Sequence, residues 1–128
     1  MYTDPIADLL TRIRNAQSAR KYTITVGHSK QKENILTVMK ENDFIESYDI
    51  AETGKGKKEI TINLRTDITQ LNLRRDSKPG QRIYRKADEL REVRNGLGIQ
   101  IVSTSAGFMT SKEAHDKKMG GEIICTIY

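Results

Sequence analysis

The sequence predicts an α+β fold built as two small packed domains, residues 1–67 and 68–128. Three observations carry this reading. Apolar residues recur at helical spacing over 6–16, which marks an amphipathic helix. Ile60, Ile62 and Leu64 alternate with polar residues, as in a strand with one buried face. Beyond residue 70, short apolar runs are separated by turn pairs such as Pro79-Gly80 and Asn95-Gly96, which favours strands over long helices. The first half reads helix, strand, helix, strand, strand; the second reads as mostly antiparallel strands with one short helix.

Asp4 and Pro5 open the first helix as N-cap and first-turn residue. Ile6, Leu9, Leu10, Ile13 and Ala16 then form its apolar stripe, with Arg12 and Arg14 on the flanks. Tyr22 to Val26 is β-branched and alternating, a short strand that Gly27-His28 breaks. Ser29 caps a second helix carrying Ile35, Leu36, Val38 and Met39, and Asn42-Asp43 ends it. Phe44–Ala51 and Glu59–Arg65 are the next strands, joined by the basic loop Thr53-Gly54-Lys55-Gly56-Lys57-Lys58. Leu71 and Leu73 suggest another strand, Lys78-Pro79-Gly80 a tight turn, and Gln81–Arg85 a further short strand. Ala87–Val93 is expected to make one or two helical turns. Ile99–Ser103 is a buried-type strand followed by a turn at Ala106-Gly107. Thr110 and Glu113 match a capping box, so a short helix should run to about Lys118. Gly120-Gly121 is expected to cap it, and Glu122–Tyr128 closes the chain as a strand.

The composition is 36% hydrophobic and 30% charged, enough to bury a core beneath a highly charged surface. Twenty-two basic residues face 17 acidic ones, for a net charge of +5. A polyanion partner is favoured, with its grip set by how that charge is distributed. The single cysteine, Cys125, excludes an internal disulfide and suits a reducing compartment. No apolar run approaches the ~20 residues of a membrane span, and the first residues lack the pattern of a signal peptide. The chain is therefore expected to be cytoplasmic, with an organelle as the open alternative, and without a membrane partner.

Catalytic chemistry finds little support. Cys125 sits in an apolar strand, where it resembles a small core residue. His28 and His115 are far apart, and nothing resembles a nucleophile elbow. One cysteine and two distant histidines do not make a zinc site. Gly54-Lys55-Gly56-Lys57-Lys58 lacks P-loop spacing, and Gly96-Leu97-Gly98 precedes a strand and not a helix; both read as turn glycines. The expectation is no enzyme, no metal, no cofactor and no small-molecule substrate.

Nucleic-acid contact is the better case. Ser103, Thr104 and Ser105 follow an apolar run and precede Gly107. Short hydroxyl side chains at a strand end, beside a glycine that permits close approach, suit contact with sugars and phosphates. Between Arg74 and Arg94 lie Arg74, Arg75, Lys78, Arg82, Arg85, Lys86, Arg91 and Arg94, opposed by Asp76, Asp88, Glu89 and Glu92. Tyr84 stands inside Arg82-Ile83-Tyr84-Arg85-Lys86, where an aromatic ring can stack on an unpaired base or a ribose. The competing structural reading is a core tyrosine with solvated flanks.

Asp4-Pro5-Ile6-Ala7-Asp8-Leu9-Leu10-Thr11-Arg12-Ile13-Arg14-Asn15-Ala16 resembles the opening of the small-subunit ribosomal protein eight family. Ser29-Lys30, Phe44-Ile45-Glu46, Pro79-Gly80-Gln81-Arg82-Ile83-Tyr84, Gly96-Leu97-Gly98-Ile99, the segment 103–110 and Gly120-Gly121-Glu122-Ile123-Ile124-Cys125 resemble the same family in order, end to end. The chain departs from the family pattern at Asp43, where glycine is common, at Lys78, where arginine is usual, and at His115. The resemblance implies a constituent of the small ribosomal subunit that binds the central domain of small-subunit ribosomal RNA and acts early in assembly. It implies Ser103, Thr104 and Ser105 as core contacts in an RNA minor groove, with Tyr84, Gly107, Gly121 and Glu122 lining the same site; from the basic run, Lys78, Arg82 and Arg85 are expected to contact RNA as well. It also implies N-terminal contacts through Arg12, Arg14 and Lys30, and the neighbouring small-subunit proteins five and twelve as partners. Some members of the family bind their own messenger, so a free RNA-binding translational regulator is the alternative reading.

Overall fold

The computed structural model of the protein describes residues 4–68, 71–90 and 98–128. Its elements are α1 (Pro5–Ser18), β1 (Thr23–Gly27), α2 (Lys30–Glu41), β2 (Ile45–Glu52), β3 (Lys58–Leu64), β4 (Leu73–Arg75), β5 (Tyr84–Arg85), a 3-10 turn (Ala87–Glu89), β6 (Ile99–Thr104), β7 (Gly107–Thr110), α3 (Ser111–Asp116) and β8 (Gly121–Ile127). The fold is α+β with two antiparallel sheets, as expected. Two compact units can be separated: Asp8–Leu71, and Asn72–Tyr128 together with the start of the chain through Ala7. No helix among the described residues is long and apolar enough to cross a membrane.

In the Asp8–Leu71 unit the sheet order is β1-β3-β2. The central strand β3 is therefore covered on both edges, and Ile60 and Ile62 are fully buried. The stripes of α1 and α2 add to this core, with Leu9, Leu10, Ile13, Ile35, Leu36 and Met39 also at 0% exposure. Ser29 caps α2 by accepting the Lys32 amide at 3.2 Å. Asn42 ends the helix, and Asp43 follows at φ +63. That left-handed conformation is the one that favours glycine.

In the second unit Asp4 caps α1 by accepting the Ala7 amide at 3.2 Å, and its other oxygen accepts from Arg75 Nε at 3.0 Å. Arg75 also donates to the Ile124 carbonyl, so one guanidinium ties the helix start to β4 and β8. The sheet runs β4-β8-β6-β7, with β5 also paired to β8. Strand β8 is the hub, which explains its run of buried residues from Ile123 to Ile127. Val102, Met109 and Ile123 pack with Leu90 and Ala114 on one face of this sheet, joined by Ile83 and Met119.

Several expectations need correction. The Gln81–Arg85 strand shrinks to Tyr84–Arg85, because Lys78 and Gln81 exchange both backbone hydrogen bonds to close their turn and the Ile83 amide goes to the Ser77 hydroxyl. Strand β7 was not expected: its four residues lie between a turn signal and a helix cap, too short for alternation to register. Helix α3 ends at Asp116, not near Lys118, and Gly120-Gly121 does not cap it. Lys118 takes the left-handed position at φ +56, and its amide bonds back to the His115 carbonyl. Of the turns expected over Ala87–Val93, the part through Leu90 falls in the described residues, and within it Ala87–Glu89 forms a 3-10 turn. The Asn95-Gly96 turn, Arg91 and Arg94 lie outside the described residues.

Cys125 is fully buried, and burial, with the Asp76 carboxylate second, pushes its thiol up to about 12. It is a core residue whose thiolate is strongly disfavoured. In the native protein at pH 8 a disulfide reagent should titrate almost no thiol, and about one equivalent should appear once urea unfolds the chain. Rapid modification without unfolding would show that the thiol is accessible after all.

Candidate nucleic-acid interface

The site is organised by the pairing of β8 with two neighbours at one residue. Glu122 lies opposite Tyr84 of β5 on one side and opposite Ser103 of β6 on the other, and Ser103 lies opposite Phe108 of β7. Directly paired residues project from the same face of an antiparallel sheet. Tyr84, Glu122, Ser103 and Phe108 therefore form a row across four strands. The next row, Ile123, Val102 and Met109, points the other way into the apolar cluster. The row bearing Tyr84 is turned away from that core, and Tyr84 is 62% exposed. The reading of Tyr84 as a core residue is thereby set aside.

Two glycines allow this convergence. A Cβ on Gly121 would be driven into the Ser103 carbonyl oxygen, and a Cβ on Gly120 would come within 2.6 Å of the Arg85 carbonyl oxygen. Strand β8 thus runs hard against β6 on one side and against the end of β5 on the other. Their role is close backbone approach, not a helix cap.

The hydroxyl cluster divides into three roles. Ser103 belongs to the row and is half-buried. The Thr104 hydroxyl donates to the Gly107 carbonyl at 2.8 Å and accepts the Ala106 amide at 3.2 Å. It closes the β6–β7 hairpin. Ser105 is not on the strand but in the two-residue turn with Ala106, and it is exposed. Only Gly107 of this hairpin has positive φ, at +115. It supplies the glycine bulge that fits an ordinary turn to the twist of the strands.

The charged residues are arranged unevenly. Arg82 Nη1 donates to Glu122 Oε1 at 3.3 Å; the carboxylate is mostly buried and the arginine more than half exposed. Arg85 is exposed and donates to the Tyr84 carbonyl at 2.9 Å. Lys78 is exposed in the turn before β5. Lys78, Arg85 and Lys86 make no ion pair among the described residues. His115 is exposed and bonds through Nδ1 to the Ala87 carbonyl at 2.9 Å. The face thus offers an aromatic ring, hydroxyls, one carboxylate and several cations, a mixture suited to sugar, base edge and phosphate together.

Arg12, Arg14 and Lys30 belong to the Asp8–Leu71 unit and are not part of this arrangement. Arg12 pairs with Asp8 at 3.1 Å along α1, an exposed pair. Arg14 is exposed on the same helix. Lys30 reaches Glu33 at 3.5 Å, and a hydrogen bond from His28 holds that carboxyl below the usual carboxylate range. Sequence reasoning missed the place of Phe108 in the row, which only the register of β7 reveals.

The family model described as Ribosomal protein S8 matches residues 4–128. The chain is similar to the small ribosomal subunit protein uS8 of Persephonella marina, with 46% identity over 100% of both chains. It is 46% identical to the uS8 protein of Lactobacillus delbrueckii subsp. bulgaricus over 98% of each chain, and 42% identical to that of Kosmotoga olearia over 100% of each. These matches run the whole length of the chain and agree with the motif resemblance at both of its ends. The chain therefore belongs to the ribosomal protein S8 family, structural components of the small ribosomal subunit.

Proposed function

We propose that this chain binds the central domain of small-subunit ribosomal RNA directly, through the Tyr84–Glu122–Ser103 row and the adjoining Ser105–Gly107 apex, and thereby supports early subunit assembly and translation. The observation that carries this reading is the row itself: an exposed ring and a serine hydroxyl held on rigid strands either side of one carboxylate. A sheet-borne site has little ordering entropy left to lose on binding. The ring suits stacking on an unpaired base, and the hydroxyls suit the 2′-hydroxyls of a shallow RNA minor groove. Lys78, Arg82 and Arg85 add phosphate contacts. Arg12, Arg14 and Lys30 contact RNA from the other unit, and small-subunit proteins five and twelve are its protein neighbours. The role is structural, not catalytic.

The test is binding to a central-domain transcript and to an unrelated structured RNA over a series of salt concentrations. If roughly five phosphates are neutralised, log K for the transcript should fall against log salt with a slope of about −4. A preference for the transcript should persist at high salt, supplied by hydroxyl and stacking contacts that carry no charge. Equal affinity for both RNAs, lost together at moderate salt, would remove the specific-site reading and leave only a basic surface.

A further inference from the structure

We propose that the β2–β3 turn and the cleft beside it form a polyanion-binding surface that takes the phosphodiester backbone of RNA without reading its bases. It lies in the Asp8–Leu71 unit and does not rest on the Tyr84–Ser103 face. The turn is closed by the Thr53 amide on the Lys57 carbonyl at 2.9 Å and the Lys57 amide on the Gly54 carbonyl at 3.0 Å. Gly54, Lys55 and Gly56 all have positive φ, at +96, +48 and +74. Lys55 and Gly56 are thus the central pair of a type I′ hairpin turn, in which asparagine or aspartate fits the first position best. A lysine there is held in a left-handed conformation that side chains rarely adopt. The sequence accepts that strain and gains a cation at the apex, and strain of this kind is concentrated at functional sites.

Beside the turn is a cleft of about 580 Å³ whose walls include Gly27, His28, Thr53, Lys57, Lys58 and Glu59. Among the described residues its lining holds no phenylalanine, tyrosine or tryptophan and no large apolar side chain. Lys32 donates to the Gly27 carbonyl at 3.1 Å on this side of the unit. The acids nearby are Glu33, Glu52 and Glu59. Glu33 is engaged by His28 and Lys30; Glu52 lies opposite Lys58 and Glu59 opposite Gly27 in the strand register. Lys55, Lys57 and Lys58 make no ion pair or side-chain hydrogen bond among the described residues. Unpaired lysines on a rigid turn, over a polar cleft, fit the repeating charge of a phosphodiester chain. A protein partner would favour aromatic, methionine or arginine anchors, and lysine is depleted in such interfaces.

The test compares wild type with the triple variant Lys55→Gln, Lys57→Gln, Lys58→Gln on an unrelated RNA duplex, between about 50 and 200 mM salt. A second variant, Lys21→Gln with Lys40→Gln, removes exposed charge elsewhere on the same unit. The triple variant should melt as wild type does and show a slope of log K against log salt shallower by roughly 2–3. The Lys21/Lys40 variant should leave the slope close to wild type. An unchanged slope in the folded triple variant overturns the proposal, as does a slope that falls equally per charge removed in both variants. Loss confined to a polyglutamate probe, with RNA binding intact, would make the surface one for acidic proteins and overturn it too. Because the duplex lacks the central-domain site, failure here is distinct from failure of the Tyr84–Ser103 reading.

Discussion

Gly121→Ala is expected to destabilise the protein by roughly 3 kcal/mol, the upper end of the range for overpacking. The added Cβ meets the backbone of Ser103 and, at 3.0 Å, the Val102 side chain. A flexible side chain could swing aside, but a strand carbonyl cannot. Relief requires β6 and β8 to separate where Val102 pairs with Ile123 and Ser103 with Glu122. Separation weakens ladder hydrogen bonds worth about 1 kcal/mol each and opens the buried cluster at Val102 and Ile123. Against a typical total stability of about 5–15 kcal/mol this is a large loss. Gly27→Ala is the internal control, since its Cβ would meet nothing within 4 Å and its backbone is not left-handed. Urea denaturation of both variants decides the matter: the midpoint should fall sharply for Gly121→Ala and scarcely move for Gly27→Ala. Equal midpoints would show that β8 does not press on β6 as described.

That effect was not legible in the sequence, and the reason is physical. Two glycines after a short helix read as a cap because glycine accepts positive φ. Lys117 is the C-cap and Lys118, at φ +56, takes the left-handed position after it, and the glycines serve a need for space that only the pairing of β8 with two strands creates. Similarly, Ser103-Thr104-Ser105 reads as one hydroxyl cluster because the three side chains are chemically alike. Their division into row residue, hairpin closure and exposed apex depends on where β6 ends, which no periodicity marks. By contrast, α1, α2 and β3 were legible almost to the residue, since each carries its own period of burial from Ile6, Ile35 and Ile60 onward. Local patterns survive reading from sequence; register and close approach arise only between strands.

The Tyr84→Ala, Ser103→Ala double variant is expected to lose roughly 2–3 kcal/mol of affinity for the central-domain RNA, about 30- to 150-fold. A stacked base is worth ~1–3 kcal/mol and a neutral hydrogen bond about 0.5–1.5 kcal/mol net. The two residues flank the same Glu122, so the combined loss should fall short of the sum. Stability should change by no more than about 0.5 kcal/mol for the tyrosine, whose ring is mostly exposed. The salt slope should hold, since neither residue carries charge, whereas Arg85→Gln should make it shallower by about 1. Thr104→Val behaves differently: it keeps the shape but removes both bonds that close the hairpin. It should therefore lower the melting temperature, with any loss of affinity arising through a disordered Ser105–Gly107 apex. Thr104→Ser, which retains the hydroxyl, should recover both. Affinity measured across salt, with melts of each variant, separates these roles. A double variant that folds normally and binds with wild-type affinity would place the RNA elsewhere on the protein, because the row would then be an exposed ring and hydroxyl with no partner.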